Sequence, residues 1–377
     1  MTLLLHTADW QIGRTYGRFD PDDAAALAEA RIATVERLAQ RAAARGADAV
    51  LVAGDVFDAQ AVSPRTIRRL FNALAPYPGP WVMIPGNHDA ALAEGVWAEA
   101  QRLGVLPPQV HLLLQPGVVE LPALRLAVLG APLTQRHTHD DTTAWFDHAD
   151  TPAGWRRVGL AHGAVQGLLA EDLDATNPIA ADRAARARLD YLALGDWHGC
   201  KRIDDRSWYA GTPEPERFKD NDPGHVLWVT LGAPGEPPRV EAERIARHRW
   251  RQAAWRLDVA SDVDAVVAQL QEATADEVLS LTLSGSVDLA AHQRLQQALQ
   301  AAEARLRALQ ADLSGLRLSP TAEDIAALQA DGYLGAVIAE LRDAPPERSR
   351  VAQDALALLT TLLAERRQAI ASAEARA

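Results

Sequence analysis

The stretch Trp81-Val82-Met83-Ile84-Pro85-Gly86-Asn87-His88-Asp89 joins four apolar residues, through a proline turn, to a run of side chains that offer oxygen or nitrogen donors. Its apolar half has the length and composition of a strand. Its polar half stands where open α/β sheets bind ligands, in the loop beyond a strand's carboxyl end. Apolar runs at Leu3–Leu5, Ala49–Ala53, Leu124–Leu129, Val158–Ala161 and Tyr191–Leu194 predict further strands. Four of these five also stop at a donor-rich cluster: His6-Thr7-Ala8-Asp9-Trp10-Gln11, Gly54-Asp55-Val56-Phe57-Asp58, Ala161-His162-Gly163 and Gly195-Asp196-Trp197-His198-Gly199. One Asp after a strand is usually a helix cap or turn former, and one His is usually structural. Five such clusters in order ask for another explanation. Asp, Asn and His are the ligand types that hold two hard or borderline divalent ions in a shared site.

Between the first two strands, Asp22–Arg45 is Ala-rich with helical apolar spacing and is closed by Gly46. His225–Leu231 and Arg239–Ile245 read as two more strands around a Gly/Pro turn. The spacing then predicts a small strand-helix-strand unit: Trp255–Val259, Asp262–Ala273 and Glu277–Ser284. Leu295, Leu299, Ala302, Leu306, Leu309, Leu313 and Leu316 recur at alternating steps of four and three, which predicts a heptad seam on a helix. Ser319-Pro320-Thr321 restarts a helix with Asp324 as capping partner, and a last amphipathic helix is expected over about 348–373. The expected division is 1–245, 246–285 and a helical 286–377.

The 377 residues suit two or three domains. A single Cys, Cys200, excludes internal disulfides and multi-Cys zinc modules. The N-terminus has no positive n-region and no apolar run spans a bilayer, so a cytoplasmic protein without membrane contact is expected. With 38 basic and 50 acidic residues the net charge is −12. A free-standing protein that coats DNA is normally basic, so contact with a phosphate chain must be local, metal-assisted or shared with a partner.

The order and content of the five clusters resemble the calcineurin-like metallophosphoesterases, with Gly86-Asn87-His88-Asp89 the most specific piece. His6-Thr7-Ala8-Asp9-Trp10, Gly54-Asp55-Val56-Phe57-Asp58 and Tyr209-Ala210-Gly211-Thr212-Pro213 look most like the SbcD-type DNA repair nucleases, over about residues 1–215. The resemblance implies an α/β four-layer sandwich with a small α/β capping domain and a C-terminal helical region. It implies one metal on Asp9, Asp55 and His198 and a second on Asp55, Asn87 and His162, with Asp55 bridging. His88 would be the general acid or phosphate-orienting group, and Asp58 and Asp89 would orient their neighbours. Where the family usually has His, this chain has Gln11 and Asp196. Those changes trade nitrogen for oxygen donors, favouring Mn²⁺ or Mg²⁺.

The implied function is two-metal hydrolysis of DNA phosphodiester bonds, as an exonuclease with possible endonuclease activity, beside an SMC-like SbcC-type ATPase. The helices from Leu289 onward are the candidates for docking that partner or for forming a homodimer. Arg247-His248-Arg249-Trp250-Arg251 is the densest basic–aromatic stretch, and Arg247, Arg249, Trp250 and Arg217 are the candidate DNA contacts. Trp10 and Trp197 could stack on a base or pack a loop. Arg202, Arg206 and Lys219 could track a phosphate chain. The alternatives are a phosphatase or cyclic-nucleotide phosphodiesterase with small substrates, and a degenerate scaffold.

Overall fold

The computed structural model describes residues 1–167, 176–321, 333–345, 348, 351–352, 355–360, 362–363 and 366. The chain divides into two compact units, Met1–Arg249 and Trp250–Ala377. The first unit begins β1 (Thr2–Thr7), α1 (Pro21–Arg45), β2 (Ala49–Ala53), α2 (Pro64–Ala73), β3 (Trp81–Ile84), α3 (Val96–Arg102) and β4 (Val110–Leu112). It continues β5 (Gly117–Leu121), β6 (Leu126–Ala131), β7 (Arg156–His162), β8 (Ala164–Val165), β9 (Pro178–Ile179), α4 (Arg183–Arg186) and β10 (Tyr191–Gly195). The hairpins β11 (Lys201–Arg202) with β12 (Ser207–Tyr209) and β13 (His225–Leu231) with β14 (Arg239–Arg244) close it.

Two six-stranded sheets result, ordered β14-β13-β1-β2-β3-β4 and β11-β12-β10-β7-β6-β5. Strands β1 to β4 are parallel, as are β6, β7, β10 and β12. The period-2 alternation of the strands decides the layers. In β2, Val50 and Val52 join the core under the helices with Leu38 of α1, Leu70 of α2 and Trp97 of α3. Ala49, Leu51 and Ala53 face the other way, into a core shared with Leu126, Val128, Val158 and Tyr191 of the second sheet. The outer face of that sheet packs Leu129, Ala161 and Leu192 on Phe146 and Ala184. Helices, sheet, sheet and outer helical turns make four layers. The expected first helix is observed, with its Gly46 cap in the left-handed conformation at φ 70°. The strand expected from Leu124 starts two residues later. Pro122–Leu124 forms a 3₁₀ turn, because proline offers no N–H to a ladder.

The second unit contains all but the first residue of β15 (Arg249–Leu257), then α5 (Ala260–Glu272), β16 (Glu277–Val287), α6 (Leu289–Glu303) and β17 (Ala308–Leu318), with sheet order β15-β16-β17. The heptad expectation is corrected here, and with it the expectation that 286–377 is helical throughout. Leu295, Leu299 and Ala302 lie on α6, whereas Leu309, Leu313 and Leu316 lie on a strand parallel to β16. All six still face one core. The step from Leu309 to Leu313 is even and keeps one face of a strand. The odd step to Leu316 is absorbed by a register shift opposite Leu283. Ser314-Gly315 within this stretch also weakens a helix. A further helix spans Tyr333–Arg342. Asp324 and most of 348–373 lie outside the described residues. Among the described residues no helix is long and apolar enough to cross a membrane.

Candidate metal centre

Strands β1, β2, β3, β7 and β10 deliver their carboxyl ends to one place, and the loops there turn sharply. Asp9 (φ 54°), Gln11 (50°), Asp55 (52°) and Asp196 (102°) all adopt left-handed backbone conformations. Such a conformation costs a non-glycine residue roughly 1–3 kcal/mol and persists only where its surroundings impose it. Here main-chain bonds tie the loops together: Asp9 N–H to the Gly54 carbonyl at 3.0 Å, Gln11 N–H to Asp55 at 3.0 Å and Ile12 N–H to Val56 at 2.9 Å. From behind, the buried Arg31 guanidinium donates to the carbonyls of Trp10 (2.7 Å), Glu214 (2.9 Å) and Asp9 (3.3 Å) and to the hydroxyls of Thr212 (2.9 Å) and Tyr16 (3.2 Å). Gly86 lets β3's loop close over the site, since a Cβ there would collide with the Asp55 carboxylate.

One donor atom each from Asp9, Asp55 and His162 lies within 4.8 Å of the others, and all three residues are buried. His162 Nε2 is 3.2 Å from Asn87 Oδ1, 3.6 Å from Asp55 Oδ1 and 3.7 Å from Asp196 Oδ1. His198 Nε2 is 4.0 Å from Asp9 Oδ1. Asp196 N–H donates to both Asp9 oxygens, at 3.1 and 3.3 Å. The imidazoles are held by their far nitrogens. His162 Nδ1 donates to the Ala53 carbonyl at 2.8 Å, and His198 Nδ1 meets Glu216 Oε1 at 2.7 Å. In each ring that leaves the Nε2 lone pair for a cation. Gln11 Nε2 donates to Asp55 Oδ2 at 2.7 Å, while its Oε1 is buried without a partner. A half-turn of the amide exchanges the two atoms and sets an oxygen donor beside Asp55.

His88 hangs from the same carboxylate without joining the donor cluster. Its N–H donates to Asp55 Oδ1 at 2.9 Å, and its Nδ1 donates to the Asp58 carbonyl at 2.9 Å. A carbonyl only accepts, so Nδ1 keeps its proton and Nε2 is the nitrogen left for proton transfer. Asp89 accepts from Gly86 N–H (2.7 Å) and Phe57 N–H (3.1 Å), tying the β3 loop to the β2 loop. Asp58 turns its side chain to Arg14 at 2.9 Å.

The electrostatics are those of a buried negative cluster. Burial, and repulsion from Asp55 and Asp196, push Asp9 up to about 6 against the pull of His198 and His162. Asp89 rises to about 7 by burial and the charge of Asp55. Burial raises Asp196 as well. For His162 burial acts downward, but Asp55, Asp9 and Asp196 outweigh it and hold the imidazole at about 9. Protons relieve the charge in the metal-free protein. A divalent cation does the same with better geometry, and the oxygen and imidazole donors, including the orphaned Gln11 oxygen, fit one.

Four supporting residues are invisible to motif reading: Arg14, Arg31, Glu214 and Glu216. Glu216 holds His198 and lies 3.3 Å from Arg14, and His198, Arg31 and Arg14 keep its carboxyl well below the usual range despite burial. Glu214 accepts from Thr34 Oγ1 at 2.6 Å and from the N–H groups of Arg247 (2.7 Å) and His248 (2.9 Å). Two signals were present. Arg31 is a charge on the buried face of α1 among Leu27, Val35 and Leu38, and Pro213-Glu214-Pro215-Glu216 places two acids directly after Gly211-Thr212.

Of the expected DNA contacts, Arg217 is exposed with its Nε 3.6 Å from Glu216 Oε1. Arg247 and Arg249 are exposed at the end of the first unit, and the half-buried Trp250 opens the second. Trp10 is a core residue, 1% exposed and edge-on to Trp81, so it offers no face to a base. The Cys200 thiol is pushed up to about 11 by burial and Asp222, which suits a structural residue.

A four-layer α/β sandwich with such a donor cluster at its strand ends is the frame of a metal-dependent phosphoesterase. The chain belongs to the calcineurin-like phosphoesterase family, whose model matches residues 2–230. That family uses divalent metal ions, and the chain is accordingly a hydrolase. A stretch of 108 residues is 41% identical to the SbcD subunit of the SbcCD nuclease of Rhodobacter capsulatus, covering 27% of this chain and 25% of that protein's length. Among solved structures, TT1561 of Thermus thermophilus aligns at 14% identity with a TM-score of 0.42, over 65% of this chain and 99% of that one.

Proposed function

We propose that the chain is a two-metal DNA nuclease, an exonuclease with endonuclease capacity in DNA repair, working with Mn²⁺ and accepting Mg²⁺. The observation that carries the reading is the convergence of Asp9, Asp55 and His162 within 4.8 Å, with His88 hung from the Asp55 carboxylate. In this reading Asp9, Asp55 and His198, with Gln11 turned oxygen-inward, take one ion. Asp55, Asn87, His162 and Asp196 take the other. Bound there, the pair supplies charge neutralisation at the phosphodiester oxygens and a hydroxide at neutral pH. The chain's own residues do the rest. Ala53 and Glu216 orient the two imidazoles, and Asp89 keeps two of the ligand loops in register. His88, its Nδ1 fixed on the Asp58 carbonyl, holds a proton at Nε2 and gives it to the leaving oxygen.

The local likeness to a nuclease subunit supports DNA as the substrate. Arg217, beside Glu216, and the exposed Arg247 and Arg249, with Trp250, are the proposed strand contacts. Docking of an SMC-like SbcC-type ATPase, or self-association into a homodimer, falls to the helices from Leu289 onward, where Tyr333, Leu334, Val351 and Leu358 are exposed. The cytoplasm is the compartment this reading implies. End-labelled single- and double-stranded DNA, incubated with the protein and Mn²⁺, Mg²⁺ or chelator, tests it. Metal-dependent cleavage that His88→Ala abolishes is expected. Turnover of nucleotide monoesters or cyclic nucleotides with DNA left whole replaces the nuclease by a small-ester enzyme. No hydrolysis of any ester, with no metal bound, makes the chain a scaffold.

A further inference from the structure

The chain has two lysines among its 38 basic residues, Lys201 and Lys219, and every other basic position is arginine. Both lie over one ring. Lys201 Nζ is 5.0 Å and Lys219 Nζ 4.7 Å from the centroid of Trp197, the residue between Asp196 and His198. They reach it from different segments, since Lys201 opens β11 and Lys219 belongs to the stretch between β12 and β13. Main-chain bonds hold these segments together. Cys200 N–H donates to the Asp222 carbonyl at 2.9 Å and Thr212 N–H to the His198 carbonyl at 3.1 Å. Gly199 allows the approach, because a Cβ there would run into the Asn221 carbonyl oxygen. Trp197 is half-buried against the cluster that holds Leu194 and Tyr209, so the ring is a fixed support.

Each ammonium is attracted to the electron-rich ring face. Lysine presents a compact, hydrated point charge suited to phosphate oxygens, where arginine presents a planar fork. We propose that Trp197 gathers Lys201 and Lys219 into a phosphate-binding subsite beside the metal loop, which grips a phosphate of the substrate strand other than the one hydrolysed. The inference rests on the nuclease reading and sharpens it: the preferred substrate carries at least one phosphate more than the scissile group.

The test compares kcat/KM of the metal-loaded protein for a short single-stranded oligonucleotide and for bis(p-nitrophenyl) phosphate, across a salt series. The double variant Lys201→Ala/Lys219→Ala is expected to lose at least about tenfold in preference for the oligonucleotide. Its log–log salt slope should flatten by about 0.7 per contact removed. Lys201→Arg/Lys219→Arg, which keeps the charges, should retain most of both. Since these are the chain's two ε-amines, amine-specific acetylation read by mass spectrometry should be slowed at both by the oligonucleotide. Unaltered preference, slope and acetylation overturn the subsite and leave the nuclease reading standing. Wild-type protein that turns over the diester but leaves the oligonucleotide whole overturns the nuclease reading, and the subsite with it.

Discussion

The two imidazoles of the proposed metal centre are held in unlike ways. His162 is wholly buried and rests its Nδ1 on a main-chain carbonyl, that of Ala53. His198 is more exposed and rests on the Glu216 carboxylate, which Arg14 approaches from its other oxygen. A carbonyl anchor is fixed by the strand itself, and no substitution at Ala53 removes it. A carboxylate anchor makes the ring a stronger donor but can be deleted by one change. The His162 half is therefore rigid by topology, and the His198 half is tuned by a chain of charges. In the proposed two-metal centre Asp55, between them, would serve both.

The largest expected effect erases the difference. Asp55→Ala should abolish binding of both ions and lower kcat by on the order of a thousandfold or more, seen in metal titration and steady-state turnover. Next, Glu216→Gln should weaken one of two binding steps by about 10–100-fold and leave the other within a few-fold. Equal weakening of both steps contradicts the division into halves.

Acid should oppose metal binding more strongly at the His162 half, whose imidazole stands at about 9 in the metal-free protein. There a proton must leave before the ion enters, so affinity should rise with pH up to about 9. Stability moves the other way without metal. His162, Asp9 and Asp89 all have folded values raised above their ordinary ones, so the folded chain binds more protons than the unfolded one. Their contribution is complete at low pH and is lost as pH rises through about 6, 7 and 9. The melting temperature of the chelated protein should fall over that range, while that of the Mn²⁺-loaded protein should hold. The smallest effect is expected from Gln11→His, which adds a nitrogen donor beside Asp55 and should tighten the ion on the Asp9 side by about three- to tenfold for Zn²⁺ and less for Mn²⁺.

What the sequence made legible follows the same division between main-chain and side-chain logic. Strands buried on both faces, such as Ala49–Ala53 and Trp81–Ile84, have observed limits equal to those expected, because continuous apolar runs admit few other readings. The convergence of the donor-bearing loops was legible because Asp9, Asp55, Asn87 and His162 each follow such a run. Their supports were not. Glu216 and Arg31 lie far from the ligands in sequence, and only the folded chain brings Glu216 to His198 and Arg31 to the Asp9 carbonyl. In the second unit, one-sided burial left an ambiguity that four-and-three spacing could not resolve. Leu309, Leu313 and Leu316 satisfy a helix face and a bulged strand equally well, and pairing with β16 decided for the strand.

The most direct measurement is the number of Mn²⁺ ions bound per chain, by calorimetric titration of the chelated protein at neutral pH, for wild type and Asp55→Ala. Two ions in the wild type and none in the variant are predicted, because one carboxylate serves both halves. A wild-type chain that binds a single ion, or a variant that still binds one at full affinity, contradicts a shared two-metal centre.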